Sequence, residues 1–462
     1  LEKSITNGQV ILDVNLNFDD TGSIKDDYEV KAIIIDGKIR LLKNLNFEKI
    51  NFLLNIKNNT FDFKDIKFIK DNSKFFSENI NVVKDKKQFL IEGNISNKNT
   101  IFNNELLNFL NIDLQKKGFS NTNFNSTSKF SFVIDKKFKI KKIVLDSDIH
   151  VNKSEYKKPK FFDNYVKFNN NIIELKNHKI KSNIKDNKLT INGFGKIKIQ
   201  ENFDDVNYSI NLSGKDFELN SQLILKEIKL NSQEYLKYFI KNFDNTTILK
   251  DQKIDINFNK KELQIKGNGK IKFENEFEEI KFKVSKIKDL FIFDTQLDFD
   301  QTSFKIDFLN YIKKDKSKAQ IKVLGKYETE NYLILENLSI TEKNNQFKFK
   351  NIHLNKDYLI KKLDIAKLEF YDNQNIKNKI LLKKTSENKY QISGLSFNAK
   401  RLIDNLLINK NKNDLKLFEN DLKIILNLNR VFLDNLNSIN NFNGNLNIKN
   451  NEVYKANISG DF

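Results

Sequence analysis

A two-residue period in hydrophobicity runs through most of this 462-residue chain. Across residues 263–273, leucine, isoleucine, glycine and phenylalanine occupy the odd positions, and glutamine, asparagine and lysine occupy the even positions. Because successive side chains of a β-strand point to opposite faces, this alternation predicts a strand with one apolar and one polar face. Similar alternation recurs at 12–18, 254–258, 280–284 and 454–462. The sequence therefore predicts an all-β protein that presents a long apolar surface.

The composition indicates a folded chain rather than a disordered one. Hydrophobic residues make up 39% of it, and 41 phenylalanines with 13 tyrosines supply bulky side chains for burial. Paired turn residues at 36–37, 58–59, 186–187 and 344–345 separate alternating stretches, as is typical of tight hairpins. Such hairpins join antiparallel strands. An open sheet of this size must curl because its strands twist. We therefore predict a long, mostly antiparallel twisted sheet, curled into an elongated groove.

Three segments depart from the period of two. Asn231 and Glu234 have the spacing of a capping box, and an apolar stripe at helical spacing follows them, which predicts an amphipathic helix near 231–243. Similar stripes predict short helices near Leu106 and Leu406. Short amphipathic helices within a β protein usually cap or plug an open apolar edge. We expect that role here rather than binding at a membrane surface.

The charge distribution argues against a nucleic-acid partner. The formal net charge is +19, but the 80 basic residues are interleaved with 61 acidic ones along the alternating segments. Clustered basic side chains are what phosphate backbones require, and the sequence contains no long basic block. We interpret the polar phase as a solvated face. Attraction to anionic lipid head groups is the functional use that we expect of the surplus positive charge.

Residues for catalysis or for metal and cofactor binding are sparse. Cysteine is absent, and His150, His178 and His353 lie far apart in the sequence without a ligand spacing, which favours isolated histidines on the polar face. The glycine pairs at 193–195 and 267–269 lie within alternating segments and open no helix, so they indicate bends or bulges rather than phosphate loops. The sequence therefore predicts no enzyme, no metal site and no cofactor.

The C-terminal part carries a resemblance to a known family. The segment from Gly394 to Leu407 reads as a strand followed by a helix, and 422–433, 439–446 and 453–460 read as consecutive strands. This order of elements and these letters are similar to AsmA-like proteins of the Gram-negative envelope, especially the YhdP-type branch. The resemblance implies a β-sheet trough in the periplasm, anchored to the inner membrane by a helix outside this chain. It also implies passage of phospholipid between the inner and outer membranes, with no catalytic residues.

Four segments are expected along the chain. They are an N-terminal groove segment at 1–152, an irregular excursion around Pro159 at 153–171, a central groove segment at 172–389 and an AsmA-like segment at 390–462. The chain lacks methionine and begins at Leu1, so we expect it to be a piece of a longer protein that continues beyond both ends.

The apolar phase supplies the candidate lipid-binding residues. Phospholipid acyl chains are the expected ligand, and envelope protein partners remain open. The residues expected to line the groove are Leu263, Ile265, Ile271, Phe273, Ile280, Phe282, Val284, Leu422, Ile424, Leu426 and Leu428. The same alternation fits a closed β-sandwich or solenoid, in which these side chains are ordinary core. A cell-surface adhesin is a third possibility, although the sequence shows no secretion signal or binding tip.

Overall fold

The computed structural model describes residues 5–25, 27–41, 45–70, 73–85, 88–101, 118–137, 139–160, 163, 166–167, 171–231, 239–240, 243, 246–328, 332–401, 403, 418–434, 436–449 and 452–462. By internal contacts the chain divides into two compact units. Unit 1 comprises 1–163 and 168–224, and unit 2 comprises 164–167 and 225–462.

Strands dominate both units. The strands up to the boundary are β1 (Ile5–Asn15), β2 (Glu29–Leu41), β3 (Leu45–Lys57), β4 (Thr60–Lys70), β5 (Ser73–Asp85), β6 (Gln88–Ile101), β7 (Phe119–Asp135), β8 (Ile140–Lys157), β9 (Ile172–Lys185), β10 (Lys188–Lys198), β11 (Phe203–Ser213) and β12 (Asp216–Asn231), which spans it. Those of unit 2 are β13 (Thr246–Asn259), β14 (Leu263–Lys272), β15 (Phe277–Ile287), β16 (Leu290–Asp298), β17 (Phe304–Ile306), β18 (Tyr311–Lys313), β19 (Ala319–Glu328), β20 (Tyr332–Glu342), β21 (Asn345–Leu354), β22 (Ile360–Tyr371), β23 (Lys377–Ser386), β24 (Lys389–Asn398), β25 (Leu422–Phe432), β26 (Ser438–Lys449) and β27 (Glu452–Asp461).

The main sheet contains 25 of these strands, and β17 with β18 forms a separate two-stranded sheet. Strands that follow each other along the chain pair antiparallel at almost every step, as at β14–β15 and β15–β16. The exception is β24 and β25, which pair in parallel, with Tyr390 opposite Ile424. Parallel neighbours need a long connection, and β24 ends at Asn398 whereas β25 begins at Leu422. The prediction of an all-β, mostly antiparallel sheet is confirmed.

Tight turns follow two of the predicted pairs closely. Asn58 and Asn59 join β3 to β4, and Asp186 and Asn187 join β9 to β10, all with φ between 48° and 62°. Asparagine and aspartate tolerate this left-handed region better than most residues, so they suit two-residue hairpins. The pair at 36–37 behaves differently. Asp36 has a φ of 51° inside β2, where the register to β3 shifts, so this pair makes a bulge and the hairpin predicted there is wrong.

The predicted helices lie largely outside the described residues, as does the whole segment around Leu106. Near Leu406, the backbone at Lys400, Arg401 and Ile403 is helical, and the Ile403 amide donates to the Ala399 carbonyl at 2.9 Å. The Asn398 side chain accepts a hydrogen bond from the Lys400 amide at 3.1 Å, as an N-cap residue does. The irregular stretch expected at 153–171 begins later than its predicted start, because β8 continues to Lys157.

A hairpin in unit 2 packs against the main sheet. β17 and β18 are joined by the 3-10 turn Asp307–Leu309, and Phe304, Ile306, Leu309 and Tyr311 are all at most 8% exposed. They form a core cluster with Phe299 and with Ala319, Phe347, Leu368 and Phe370 of the main sheet. We call this cluster the hairpin core. Sequence alternation gave no sign of it, because each strand of the hairpin has only three residues.

Glu278 of β15 fixes the segment that leads into this hairpin. Glu278 is 2% exposed, and its carboxylate accepts hydrogen bonds from the amides of Asp300, Gln301 and Thr302 at 2.6–3.1 Å. Lys313 approaches the same segment and donates from its Nζ to the carbonyls of Asp300 and Thr302 at 2.9 and 2.7 Å. Together these bonds satisfy backbone groups that would otherwise be buried without partners.

We expect Glu278→Leu to weaken the hairpin by about 3 kcal/mol, because three amide donors lose a charged acceptor in a buried place. Hydrogen exchange monitored by mass spectrometry should show faster exchange over 299–313 and little change in β25–β27. Glu279→Leu is the matched control, since Glu279 is the next residue and is exposed. Unchanged exchange over the hairpin in Glu278→Leu would contradict this account.

Candidate functional site

The strand register of unit 2 places the first group of predicted groove residues on one face. Between β14 and β15, Ile265 lies opposite Val284, and two glycines, Gly267 and Gly269, lie opposite Phe282 and Ile280. Leu263, Ile271 and Phe273 share the alternation of Ile265, so they face the same side. Ile271 is buried opposite Glu278, the residue that fixes the hairpin.

A row of directly opposed residues extends this face across unit 2. Starting from Phe282, each member lies opposite the next on the neighbouring strand, and all are apolar or glycine except one threonine. The row runs from β13 to β27 through Ile254, Gly267, Phe282, Thr295, Val323, Leu338, Phe349, Ala366, Leu382, Ile392, Leu426, Gly444 and Ile458. We call it the Phe282 row. It joins the two groups of predicted residues, because Phe282 belongs to the first and Leu426 to the second.

A second row runs parallel to it, two residues further along the strands. The Ile280 row contains Gly269, Ile280, Leu297, Ile321, Ile340, Phe347, Leu368, Ile380, Gly394, Leu428 and Phe442. No polar side chain interrupts it among these described positions. The two rows together define what we call the apolar face of unit 2.

Burial differs along this face. Leu422, Leu426 and Leu428 are between 3% and 8% exposed, and Leu422 forms a second core cluster with Ile352, Leu363, Ala366 and Tyr390. Ile424 packs against that cluster, and Phe273 packs against the hairpin core. These side chains have the packing that the closed-core alternative expects.

The residues at the centre of the first group are less covered. Ile265, Ile280, Phe282 and Val284 are partly exposed, and none of the four belongs to or packs against either described core cluster. Lys266, Lys281 and Lys283, which alternate with them, are exposed. The structure therefore brings all eleven predicted residues to one side of the sheet, although some of them pack in cores and others remain open.

Glycine in the apolar phase leaves space for aromatic rings from the neighbouring strand. A Cβ atom at Gly267 would clash with the ring of Phe282, and one at Gly325 would lie 2.6 Å from Cζ of Phe293. Such approaches are possible only without a side chain, so each ring lies across the glycine and covers its backbone. An aromatic residue opposite a glycine could have indicated this packing from the sequence. The pairs are recognisable only once the register between neighbouring strands is known.

Unit 1 contains a comparable apolar row of its own. It passes through Leu12, Ala32, Leu54, Phe63, Ile80, Gly93, Phe130, Leu145, Ile184, Leu189, Leu212 and Phe217, from β1 to β12, each residue directly opposite the next. We call it the Phe130 row. None of the predicted groove residues lies in unit 1, although the alternation at 12–18 marks the start of this row.

His178 corrects the prediction that all three histidines lie on the polar face. It lies opposite Val151 in the apolar phase and is 5% exposed. Its Nδ1 is 3.3 Å from the Tyr208 hydroxyl, and its Nε2 is 3.0 Å from the Lys196 carbonyl oxygen. Burial lowers the pKa of His178 and raises the pKa of Tyr208 to about 12. Both groups are therefore neutral near pH 7 and suit an apolar setting.

Metal sites, membrane helices and similar proteins do not indicate a function for the apolar face of unit 2. Among the residues that the structure describes, no three histidine, aspartate or glutamate side chains are grouped so that they could hold a metal ion. Within the same residues, no helix has the length and hydrophobicity needed to cross a membrane. Comparison of the chain with family models, curated proteins and solved structures gives no match.

A buried carboxylate holds the second strand of the hairpin. Glu342 of β20 accepts hydrogen bonds from Tyr311, Ser317 and Asn345. Burial alone would raise its pKa, but these three hydrogen bonds outweigh burial and hold the pKa below its ordinary value of 4.5. Burial and the same carboxylate raise the pKa of the Tyr311 hydroxyl. The ionised carboxylate and the neutral phenol are thus the stable pair.

We expect acid to loosen the hairpin through Glu342. Because the pKa of Glu342 is lower in the folded state than in the unfolded state, its stabilisation is complete above about pH 5 and is lost as the pH falls through the folded pKa. Glu342→Gln should be less stable than the original protein at neutral pH and should lose less stability as the pH falls below about 5. Denaturant unfolding at several pH values measures both the stability at neutral pH and its loss in acid. Glu336→Gln, at a partly exposed carboxylate on the same strand, is the control, and an acid response equal in all three proteins would contradict this assignment.

Proposed function

We propose that the apolar face of unit 2 binds phospholipid acyl chains and lets them move from strand to strand. The Phe282 row is the observation that supports this proposal. At about 4.8 Å per strand, the row from β13 to β27 extends about 60 Å, roughly twice the hydrocarbon thickness of a bilayer. An apolar path of this length, with one threonine in it, is more than a single core needs, and it suits a chain of methylene groups.

The energetics favour binding without fixed positions. Removal of an acyl chain from water is favourable by about 0.8 kcal/mol for each buried CH2 group. Thr295 is the single polar side chain of the Phe282 row, so neighbouring positions along the row offer similar apolar surroundings. A ligand held by burial alone, with few hydrogen bonds to break, has low barriers between such positions.

We further propose that the chain is part of an AsmA-like, YhdP-type protein of the Gram-negative envelope. Its place would be the periplasm, with an inner-membrane anchor outside this chain and phospholipid passing between the inner and outer membranes. The strand, the helical turn after Asn398 and the strands β25–β27 support this proposal, because they occur in the order that the resemblance implies. The net charge of +19 suits contact with anionic head groups.

A closed structural core is the second candidate. It is favoured by the hairpin core and by the cluster around Leu422, which cover part of the same face. In that case the open residues around Phe282 would be covered by further protein and not by lipid. The two candidates predict different effects of a charged side chain on this face: loss of lipid transfer for a lipid-binding face, and loss of stability for a closed core.

We expect Ile265→Asp and Phe282→Asp to abolish lipid transfer, because a carboxylate stripped of water is costly and keeps a local wet constriction on the path. Photocrosslinking groups at positions 265 and 282 should capture phospholipid in cells, and groups at 264 and 281 should not. Stability should fall only modestly in both variants, since the residues are partly exposed.

Lys266→Asp and Lys281→Asp are the matched controls, because each adds the same carboxylate one residue away on the exposed side. They should transfer lipid almost normally. If adducts are missing at both 265 and 282, and both inner variants lose about 3–5 kcal/mol of stability, the face is a closed core and the proposal is wrong.

A further inference from the structure

A group of uncharged polar side chains interrupts the apolar phase of unit 1 beside the Phe130 row. Ser128, Ser147 and Ser182 lie directly opposite one another on β7, β8 and β9, two residues along from Phe130, Leu145 and Ile184. The strand before them contributes Asn97, which lies opposite Ser126. We call these residues, together with Thr100, the hydroxyl cluster.

The members of the cluster bond partly to each other. The hydroxyl oxygens of Ser128 and Ser147 are 2.8 Å apart, and the Ser126 hydroxyl donates to Oδ1 of Asn97. Nδ2 of Asn97 donates to the Phe124 carbonyl at 3.2 Å. The charged residues of these strands, such as Lys129, Asp146 and Lys181, are exposed in the opposite phase. The cluster therefore offers neutral donors and acceptors and no ionic group.

Thr100 gives an independent indication that a ligand belongs here. It lies opposite Phe124 and therefore on the same face as Ser126 and Ser128. Thr100 is 3% exposed, yet its Oγ1 has no hydrogen-bond partner. Buried hydroxyl groups are nearly always paired, because an unpaired one loses its bonds to water without replacement. An acceptor atom of a bound molecule would supply the missing partner.

We propose that the hydroxyl cluster binds the ester-linked glycerol region of a diacyl phospholipid whose acyl chains lie along the Phe130 row. This inference rests on the proposed function and extends it to unit 1. Ester carbonyl oxygens are neutral acceptors, and serine and threonine hydroxyls are neutral donors that rotate to meet them. A phosphate or an amine would call for an ionic partner, and the cluster has none. The cluster thus recognises the ester linkages, with the charged head group outside it.

The test compares two lipids with the same head group and chain length, a diacyl phosphatidylglycerol and its ether-linked analogue, which lacks the carbonyl oxygens. They compete for the full chain, and native mass spectrometry measures the bound ratio. We expect a preference of about five- to tenfold for the ester lipid, the effect of one or two hydrogen bonds. This comparison needs no variant, so it does not depend on how a substitution affects folding.

The combined variant Ser128→Ala, Ser147→Ala and Ser182→Ala should bind both lipids equally while still binding lipid. Thr127→Ala with Ser131→Ala is the control, because both residues lie on β7 in the opposite phase, and it should keep the preference. Equal binding of the two lipids by the unaltered chain would overturn the inference and leave the proposed function in place. A preference that survives in the triple variant would also overturn it. If neither lipid binds, the proposed function fails, and this inference fails with it.

Discussion

Strand register is the constraint on which the rest of this structure depends. Side chains alternate with a period of two, so a slip of one residue between neighbouring strands would move every apolar side chain to the other face. The Phe282 and Phe130 rows persist only because pairing stays in phase from strand to strand. Bulges preserve that phase where the sequence breaks it. Phe63 and Ile66 differ in parity, yet both lie on the apolar side because Asp65, with a φ of 52°, adds one residue between them.

Local sequence predicted the faces well because the face of a strand residue depends on its near neighbours alone. Alternation identified all eleven predicted groove residues as sharing one side of the sheet, and the turns at 58–59 and 186–187 followed from residue type. The hairpin predicted at 36–37 was wrong, because a residue in the left-handed conformation occurs in β-bulges as well as in hairpin turns. The parallel pairing of β24 with β25 and the short hairpin β17–β18 depend on contacts between residues distant in sequence, which a local period does not encode.

A few polar side chains lie on the apolar side of the sheet, and their hydrogen bonds distinguish two kinds of position. Glu278 and Glu342 lie on that side, and each is saturated with hydrogen bonds that fix the hairpin against one part of the face. The hydroxyl cluster of unit 1 is different, because Thr100 keeps an unpaired oxygen. The contrast is between carboxylates whose hydrogen bonds hold the fold and a cluster in which one buried hydroxyl lacks a partner. Composition alone could not make that distinction, since serine, asparagine and glutamate occur throughout the chain.

The central claim is that the apolar rows are surfaces for acyl chains and not merely the inside of a fold. The most direct measurement is the amount of phospholipid that stays with the chain when it is purified from cells without detergent, determined by quantitative mass spectrometry against protein concentration. The account predicts at least one diacyl phospholipid per chain, retained through washing and released on unfolding. A lipid-free protein with the same strand content by circular dichroism would contradict it.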